Sequence, residues 1–593
     1  MSIKRLIKLT FVSLFALTPL ASSVVSAQET KAAKKKIEVP LHDYLNRFHP
    51  VMARKGMVVA QEKHATEAGY AMIAQGGNAI DAAVATGFAL AVTYPQAGNI
   101  GGGGFLLAYI AKEDKVIALD FREMAPGSAH RDMFLKEDGS VDRRKAMFSA
   151  HSSGVPGTVK GLIQAHKKYG SLPLQTVMGP AIKLAEEGFL MPWGIASSIA
   201  GRMKRLSADK DTARYFFKAD GSAYEAGELF VQKDLAKTLQ SIADKGADGF
   251  YRGWVADKIV EKMKETGGII SHEDLKNYKA VERTAVRSPY RGYEVVSMPP
   301  PSSGGVHIVQ MMNVLEGYDL RSFGHNSADY IHTVTEAMKH AYADRSEYLG
   351  DPDYWDVPVE KLTSKAYAAQ IRAKIMSEKA TPSQDIKPGM HMVAESPQTT
   401  HLSSMDAAGN AVSLTYTLNF SYGNGMSVGG AGFLLNNEMD DFSAKPGVPN
   451  GFGLLGGEAN AIAAGKRPLS SMTPTMVLKE GKPFFVTGSP GGSRIINAVL
   501  QTILNTTDFN MGAASAVSVP RFHHQWMPDE ILVESGISID TIRILQSRGQ
   551  NIDPYKKGGW RTIGAVQAIM RTPDGLMHGA ADPRRQGAIA IGE

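Results

Sequence analysis

The sequence predicts a fold of the α+β class, and three observations support this prediction. Helical and strand patterns alternate from about residue 57 to residue 350. A polar segment over 377–398 then precedes a pronounced β-hairpin pattern that begins at Thr399. Hydrophobic residues make up 43% of the 593-residue chain, which is enough apolar material for a full core.

The N-terminus has the pattern of a secretory signal peptide. Three basic residues precede an apolar stretch over 9–21, and small residues end at Ala27. We therefore predict a signal peptide over residues 1–27, cut after Ala27, and an extended leader over 28–50. A membrane anchor is the alternative, but a spanning helix needs about 20 apolar residues, and Pro19 interrupts this stretch. No later stretch is long and apolar enough to span a membrane.

Composition excludes several kinds of site. The chain has no cysteine, which rules out thiol nucleophiles, disulfides and thiolate zinc sites. The formal net charge is +6, three units of which come from the predicted signal peptide, so no nucleic-acid partner is expected. The pair His523–His524 lacks partners at metal-ligand spacing, and we interpret both residues as structural. Gly101–Gly104 lacks the Lys and Ser/Thr of a phosphate loop, and we predict a tight turn there.

Regular elements can be placed at several points along the chain. Helices are predicted where apolar residues recur at helical spacing, namely over Glu62–Gln75, Ala79–Val92 and Tyr330–Leu349. Ser327 is placed to cap the last of them, in which Ile331, Val334, Met338 and Ala341 share one face. Strands are predicted over two runs with β-forming residues, namely Val116–Asp120 and Tyr293–Met298.

The hairpin after Thr399 carries two kinds of side chain on its two faces. Its first strand is predicted over Thr399–Asp406 and its second over Ala411–Asn419. In the second strand, one face is apolar (Val412, Leu414, Tyr416 and Leu418) and the other polar (Ser413, Thr415, Thr417 and Asn419). On this pattern alone, a half-exposed hairpin with threonines chosen for β-propensity is the favoured interpretation.

Two further segments flank the hairpin in sequence. Residues 377–398 show little apolar periodicity and are predicted to form a mobile loop. Gly488–Gly492 is not a G-x-S-x-G elbow, because its serine lies one position early. Its consecutive glycine N–H groups nevertheless suit an oxyanion. Local motifs assign no Ser/His/Asp set.

Six longer motifs occur in a fixed order. They are DFREMAP at 120–126, MPPPSSGG at 298–305, TTHLS at 399–403, LLNNEMDDFS at 434–443, KRPLSSMTP at 466–474 and TGSPGGSR at 487–494. Together they resemble the γ-glutamyltransferase family, and the likeness runs from about residue 50 to the C-terminus. The periplasmic bacterial members look most similar, which implies a periplasmic location.

The resemblance implies a four-layer αββα sandwich of the N-terminal-nucleophile hydrolase class. It implies a precursor that cuts itself between Gln398 and Thr399 into a large subunit (51–398) and a small catalytic subunit (399–593), which stay together as a heterodimer. After the cut Thr399 has a free α-amine, whose reference pKa is about 7.7–8.0. This amine can take the proton of the Thr399 hydroxyl near neutral pH.

Residue roles also follow from the resemblance. Thr399 would attack the γ-amide carbonyl of glutathione or another γ-glutamyl compound, supported by Thr417. Gly491 and Gly492 would hold the oxyanion through their N–H groups. The resulting ester would pass to water or to an acceptor amino acid or peptide. No metal or organic cofactor is implied.

The substrate head group would be held at its two charged ends. The α-carboxylate would pair with Arg122, helped by Ser470 and Ser471, because a planar guanidinium suits a carboxylate. The α-ammonium would be held by three side chains, those of Asn419, Glu438 and Asp441. Glu438 replaces a glutamine of some bacterial members, and Phe452 replaces a lid tyrosine. Without that hydroxyl we expect a looser lid and more loss of the ester to water.

Three alternative functions remain open. The first is a cephalosporin acylase of the same superfamily, which prefers glutaryl side chains. Asp441 argues against it, because glutaryl has no ammonium for this acid to bind. The second is an uncut periplasmic solute-binding protein that captures amino acids through Arg122. The third is a processed but inactive scaffold.

Overall fold

Two seven-stranded antiparallel sheets form the centre of the protein. The computed structural model describes residues 48–386, 399–554 and 562–593. The predicted signal peptide, the leader up to residue 47, residues 387–397 of the predicted loop and Gln398 lie outside these described residues.

We call the sheet that contains the hairpin after Thr399 sheet I. Its strand order is β18-β2-β10-β11-β3-β4-β7. Its strands are β2 (Gly56–Ala60), β3 (Gly103–Ile110), β4 (Lys115–Phe121), β7 (Val281–Arg283), β10 (Thr400–Asp406), β11 (Ala411–Thr417) and β18 (Ile589–Gly592).

Sheet II has the strand order β1-β17-β16-β13-β12-β9-β8. Its strands are β1 (Val51–Ala53), β8 (Val286–Tyr290), β9 (Tyr293–Ser297), β12 (Thr475–Lys479), β13 (Lys482–Gly488), β16 (Gln567–Arg571) and β17 (Met577–Ala581). Two small strand pairs lie apart from both sheets, namely β5 (Phe189–Leu190) with β6 (Leu229–Phe230) and β14 (Phe522–His523) with β15 (Leu532–Val533).

Helices surround the two sheets. In the first part of the chain they are α1 (Lys63–Ala74), α2 (Ala79–Thr93), α3 (Arg143–Phe148), α4 (Thr158–Tyr169), α5 (Leu174–Glu187), α6 (Trp193–Ala200), α7 (Met203–Leu206), α8 (Lys210–Phe216), α9 (Lys233–Lys245), α10 (Asp248–Tyr251), α11 (Gly253–Thr266) and α12 (His272–Asn277). They continue with α13 (Gly304–Leu315), α14 (Leu320–Phe323), α15 (Ala328–Tyr348), α16 (Val359–Leu362), α17 (Lys365–Arg372), α18 (Arg494–Thr507), α19 (Ala513–Ser518) and α20 (Ile539–Ser547).

The layers follow the order helix, sheet, sheet, helix. Helix α2 packs across β10 and β11 on the outer face of sheet I, and its apolar residues share a core with Leu402, Leu414 and Tyr416. A second core runs from the inner face of sheet I through sheet II to α13, α15 and α18, and includes Phe105 and Met476. The observed arrangement is the predicted four-layer αββα sandwich.

The predicted elements agree with the observed ones to within a few residues. Helix α1 begins after Glu62, whose carboxylate accepts hydrogen bonds from two N–H groups of the first turn. Ser327 caps α15 by accepting a hydrogen bond from the N–H group of Tyr330 at 3.1 Å. The predicted apolar face of this helix is buried in the core next to sheet II.

The hairpin differs from the half-exposed hairpin that the pattern alone favoured, because every residue of β10 and β11 is buried. The predicted division of the two faces is confirmed for β11, whose apolar residues pack on the helix layer. Its hydroxyl face lies against sheet II. Ser413 donates to the carbonyl oxygen of Thr487 at 2.9 Å, and Thr415 contacts His401 Nδ1 at 2.8 Å. The threonines and serine therefore satisfy buried polar groups between the sheets.

The predicted tight turn at Gly101–Gly104 needs correction. Gly103 and Gly104 belong to β3, and none of Gly101–Gly104 has a left-handed φ. These glycines permit close packing rather than a turn, since a Cβ atom on Gly102 would lie 2.1 Å from the carbonyl oxygen of Thr417. Ser383, in the described part of the loop predicted over 377–398, makes two hydrogen bonds to the segment around Trp526. The Ser383 N–H group donates to Asp529 at 2.9 Å, and the indole of Trp526 donates to the Ser383 carbonyl at 2.8 Å.

Candidate active site

Residues from distant parts of the chain line one small cavity at the end of β11. The lining residues are Arg122, Thr399, Thr417, Asn419, Glu438, Asp441, Phe452, Leu454, Ser470, Ser471, Met472, Gly492, Ser493 and Ile495. Its free volume of about 20 Å³ leaves room for about one water molecule. All but one of the predicted catalytic and binding residues line this cavity; the exception is Gly491, the neighbour of Gly492.

Thr399 and Thr417 are brought together by the register of the hairpin. Thr400 pairs with Tyr416, so Thr399 and Thr417 follow as neighbours at the end of the two strands. The Thr399 hydroxyl donates to Thr417 Oγ1 at 3.5 Å. Thr417 Oγ1 also accepts from the N–H group of Asn419 at 2.9 Å. Asn419 has a φ of 73°, a left-handed conformation that asparagine tolerates better than most residues.

The two predicted oxyanion glycines lie between β13 and α18. Gly491 has a φ of 141° and Gly492 a φ of 57°, both in the range that favours glycine. A Cβ atom on Gly492 would lie 2.8 Å from the ring of Phe452. The segment leads directly into the 14-residue helix α18, whose N-terminus carries a partial positive charge that favours an anion.

Arg122 follows β4 and is fully buried. Its Nη1 contacts the carboxylate of Glu438, and its Nη2 contacts that of Asp441. Nε donates to the carbonyl oxygen of Pro468 at 3.1 Å, which fixes the plane of the guanidinium. Burial would lower the pKa of Arg122, but the neighbouring carboxylates raise it above its ordinary value. The predicted carboxylate-binding and ammonium-binding residues are therefore paired with each other.

Ser470 and Ser471 directly follow Pro468 and Leu469, whose carbonyl oxygens accept hydrogen bonds from Arg122. Ser470 Oγ accepts from the N–H group of Met472 at 3.1 Å, and its backbone pairs with Ser302. Ser471 Oγ accepts from Nη2 of Arg345 at 3.3 Å. Arg345 was not predicted as a site residue. The sequence nevertheless indicated that Arg345 is unusual, because it lies on the apolar face of α15, one turn beyond Ala341. A charged side chain on a buried face needs a partner.

Glu123 is a second residue that sequence reasoning missed. It is fully buried, and its Oε2 lies 3.5 Å from Nη1 of Arg122. Burial raises the pKa of Glu123 to about 7, although Arg122 acts in the opposite direction. Its position directly after Arg122 was the available signal, but the sequence could not show that the carboxyl group of Glu123 approaches the guanidinium of Arg122.

Phe452 is one of the residues that line the cavity. Its ring meets that of Phe420 edge-on, with 5.2 Å between the centroids. The loop that carries Phe452 is attached to the acidic turn Glu438–Asp441 at two points. Asn450 Nδ2 donates to Asp441 Oδ1 at 3.3 Å, and the Gly451 N–H group donates to Asp440 Oδ2 at 2.9 Å.

The histidines of the pair at 523–524 have structural partners. His523 Nδ1 contacts the amide of Asn497 at 2.7 Å, and His524 Nε2 contacts Asp529 at 3.1 Å. Burial lowers the pKa of His523 to about 3, so the ring is neutral. Within the described ranges, no group of three or more His, Asp or Glu side chains is arranged to hold a metal ion.

Comparisons with known proteins agree with this geometry. A family model described as gamma-glutamyltranspeptidase matches residues 65–592. The chain belongs to this family. It is 51% identical over 545 residues to the glutathione hydrolase proenzyme of Escherichia coli (strain K12), covering 92% of this chain and 93% of the relative.

Solved structures of gamma-glutamyltranspeptidases and related acylases share the sandwich. A cephalosporin acylase from Bacillus halodurans superposes with a TM-score of 0.82 at 29% identity, over 93% of this chain and 98% of the other. The gamma-glutamyltranspeptidase of Helicobacter pylori gives a TM-score of 0.55 at 45% identity, over 60% of this chain and 99% of that chain. The αββα fold predicted from the resemblance is confirmed.

No helix within the described ranges combines the length and the apolar character that crossing a bilayer requires.

The acidic turn generates a prediction about stability and pH. Burial, and then the charge of Asp441, raise the pKa of Asp440 to about 7, against an ordinary value of 3.8. The folded protein therefore holds this proton over a pH range in which the unfolded chain has lost it. Stability is lost as pH rises through that range.

Asp440→Asn removes this ionisation and keeps an oxygen to accept from Gly451. At pH 8 we expect the variant to unfold at a higher temperature than the wild type, with a free energy of unfolding larger by up to about 4 kcal/mol. At pH 4 the stabilities of the two proteins should differ little. Thermal melts at both pH values measure this. The exposed control Asp540→Asn should change stability by about 0.5 kcal/mol or less. A difference in stability between Asp440→Asn and the wild type that is the same at both pH values would contradict the raised pKa of Asp440.

Proposed function

We propose that this protein is a self-processing γ-glutamyltransferase that acts on glutathione and related γ-glutamyl compounds. The observation that carries the proposal is the placement of Thr399, at the start of β10, beside Thr417 and in the same cavity as Arg122. The proposed nucleophile thus lies in the same cavity as charged side chains that complement a γ-glutamyl head group. The chain is also a member of the gamma-glutamyltranspeptidase family.

The first reaction is the cut between Gln398 and Thr399. The Thr399 hydroxyl attacks the carbonyl of Gln398, the amide becomes an ester, and water hydrolyses that ester. Before the cut, the Thr399 nitrogen is an amide and no base. Afterwards it is an amine that accepts the hydroxyl proton near neutral pH. The products are the large subunit, which ends at Gln398, and the small subunit, which begins at Thr399, held together as a heterodimer by the shared sandwich.

Turnover uses the same hydroxyl. Thr399 Oγ1 attacks the γ-carbonyl of the substrate, and the N–H groups of Gly491 and Gly492 stabilise the oxyanion. The amine leaves with a proton, and a γ-glutamyl ester remains on Thr399. Water or the amino group of an acceptor amino acid or peptide then takes the γ-glutamyl group. Loss of one oxyanion donor typically lowers the rate by about 10²–10³-fold.

Recognition of the head group is an exchange of ion pairs. Without substrate, the guanidinium of Arg122 contacts the carboxyl groups of Glu438 and Asp441. A γ-glutamyl head group carries both charges, so its α-carboxylate replaces the acids at Arg122 while its α-ammonium satisfies Asn419, Glu438 and Asp441. Because buried charges need partners, a ligand that brings only one of the two charges leaves the other set unpaired.

This exchange bears on the acylase alternative. The acylase from Bacillus halodurans shares the fold over a larger part of the chain than the Helicobacter protein does, but its identity is lower. A glutaryl group would bring a carboxylate to Arg122 and no ammonium to the acidic turn. The acidic turn therefore favours γ-glutamyl over glutaryl substrates.

The cellular location is part of the proposal. The N-terminal pattern of basic residues, an apolar stretch and small residues ending at Ala27 supports export and removal of residues 1–27. With the relatedness to bacterial proteins such as that of Escherichia coli, it favours a periplasmic enzyme.

Asp441→Asn tests the substrate assignment. We expect kcat/KM for a γ-glutamyl anilide to fall by about 10²-fold or more, because a buried charge partner of the ammonium is lost. The value for the matching glutaryl anilide should change much less. Release of the aniline from both substrates by wild type and variant gives the four rates needed, with intact masses to confirm equal processing. A wild type that prefers the glutaryl anilide would favour the acylase, and binding without turnover would favour a solute-binding protein or an inactive scaffold.

Phe452→Tyr tests the lid. The added hydroxyl can reach toward Asn419 and hold the loop closed over the ester, so water gains less access. We expect transfer to an acceptor dipeptide to rise relative to hydrolysis, measured as the ratio of γ-glutamyl peptide to free glutamate. Phe452→Leu is the matched control, since it cannot supply the hydroxyl. An unchanged ratio in the tyrosine variant would remove this account of the lid.

A further inference from the structure

Two buried glutamates beside Arg122 have oxygen atoms without a donor. Among the described residues, no N–H or O–H group of another residue donates a well-aligned hydrogen bond to either Oε atom of Glu123 or to Oε2 of Glu438. Both side chains are at most 1% exposed. A buried polar atom without a partner costs about 1–3 kcal/mol, and more if it is charged. Three such atoms in one place indicate that a donor is needed.

The two glutamates share a single guanidinium nitrogen. Nη1 of Arg122 contacts Glu438 and lies 3.5 Å from Oε2 of Glu123, while Nη2 contacts Asp441. The carboxyl group of Glu438 is within hydrogen-bonding reach of those of Glu123 and Asp441. Two carboxyl groups can form a hydrogen bond only if one of them carries a proton. A proton on Glu438 would therefore supply the donor that the geometry requires.

The surrounding charges favour such a proton. The titratable groups that face the cluster are Arg122, Asp441, Asp440, Arg345 on α15, and the stacked pair Tyr251 and Tyr278. The two guanidiniums face four carboxyl groups, and the tyrosines are neutral. Full ionisation would leave excess negative charge in a buried volume. Burial raises the pKa of Glu438 well above its ordinary value.

We propose that Glu438 is protonated when no substrate is bound and that its O–H group then donates a hydrogen bond to the carboxylate of Glu123. When a substrate ammonium binds, Glu438 releases this proton. This inference rests on the proposed function, because it takes the ammonium site as given. Glu123 is then a positioning residue, which acts through Glu438 and Arg122. The step balances, since the proton of the Glu438 carboxyl passes to solvent and the ionised carboxylate pairs with the incoming ammonium.

Proton release makes substrate affinity depend on pH. Below the pKa of Glu438, each ligand bound must displace one proton, so affinity rises by up to about tenfold per pH unit. A glutamine at 438 has no proton to lose and donates to Glu123 through its amide. Affinity should then depend little on pH. The glutamate thus gives this site a pH dependence that a glutamine would not.

Calorimetric titration of the processed enzyme with L-glutamate tests the proposal. At pH 6, titrations in two buffers with different ionisation enthalpies give the number of protons released per L-glutamate bound. We expect the wild type to release close to one proton and Glu438→Gln close to none. Glu123→Gln should release fewer protons than the wild type, because its amide can donate to an ionised Glu438. The control Asp508→Asn alters a buried acid outside the cavity and should match the wild type.

The possible results distinguish a failure of the proton proposal for Glu438 from a failure of the proposed function. Equal proton release by the wild type and Glu438→Gln overturns the proposal while leaving the proposed function intact. If Glu438→Gln does not fold, unchanged release by Glu123→Gln overturns it equally. Absence of L-glutamate binding in every folded protein, together with no turnover of a γ-glutamyl anilide, would remove the proposed function and this inference with it.

Discussion

The pairing of β10 with β11 determines where the other parts of the site must lie. Thr399 precedes β10, and the register with β11 places it beside Thr417 at the edge of a fully buried hairpin. The hydroxyl face of β11 meets sheet II, so the end of the hairpin lies close to the loop after β13 that holds Gly491 and Gly492. A slip of one residue would turn every side chain of the hairpin to the opposite face and separate the proposed nucleophile from its oxyanion donors.

Next to the end of the hairpin lie the charged side chains of the proposed head-group site. The guanidinium of Arg122 contacts the carboxyl groups of Glu438 and Asp441 inside a cavity with room for about one water molecule. A ligand whose charged groups replace both halves of that pairing would leave no buried charge without a partner. The loop that carries Phe452 is attached to the same acidic turn through Asn450 and Gly451. This loop and the proposed ammonium site therefore share one structural element.

Much of this could be predicted from the sequence, but for different reasons. The two faces of β11 and the apolar face of α15 followed from periodicity, because burial imposes a period of two or 3.6 residues. The αββα sandwich and the set that includes Arg122, Asn419 and Ser470 came from motif resemblance, since no periodicity links residues about 300 positions apart. The full burial of the hairpin was missed because hydroxyl groups can pair with a second sheet as well as with water. Glu123 and Arg345 were missed because their importance depends on which long-range neighbours they meet.

The intact masses of the purified protein, with N-terminal sequencing of any fragments, test the central claim most directly. The wild type should give two chains, of which the smaller begins at Thr399. Thr399→Ala should give one uncut chain, and the matched control Thr400→Ala should still be cut. An uncut wild type, or a cut that leaves Thr399 inside a chain, would contradict the assignment of Thr399 as the nucleophile and of this cavity as the active site.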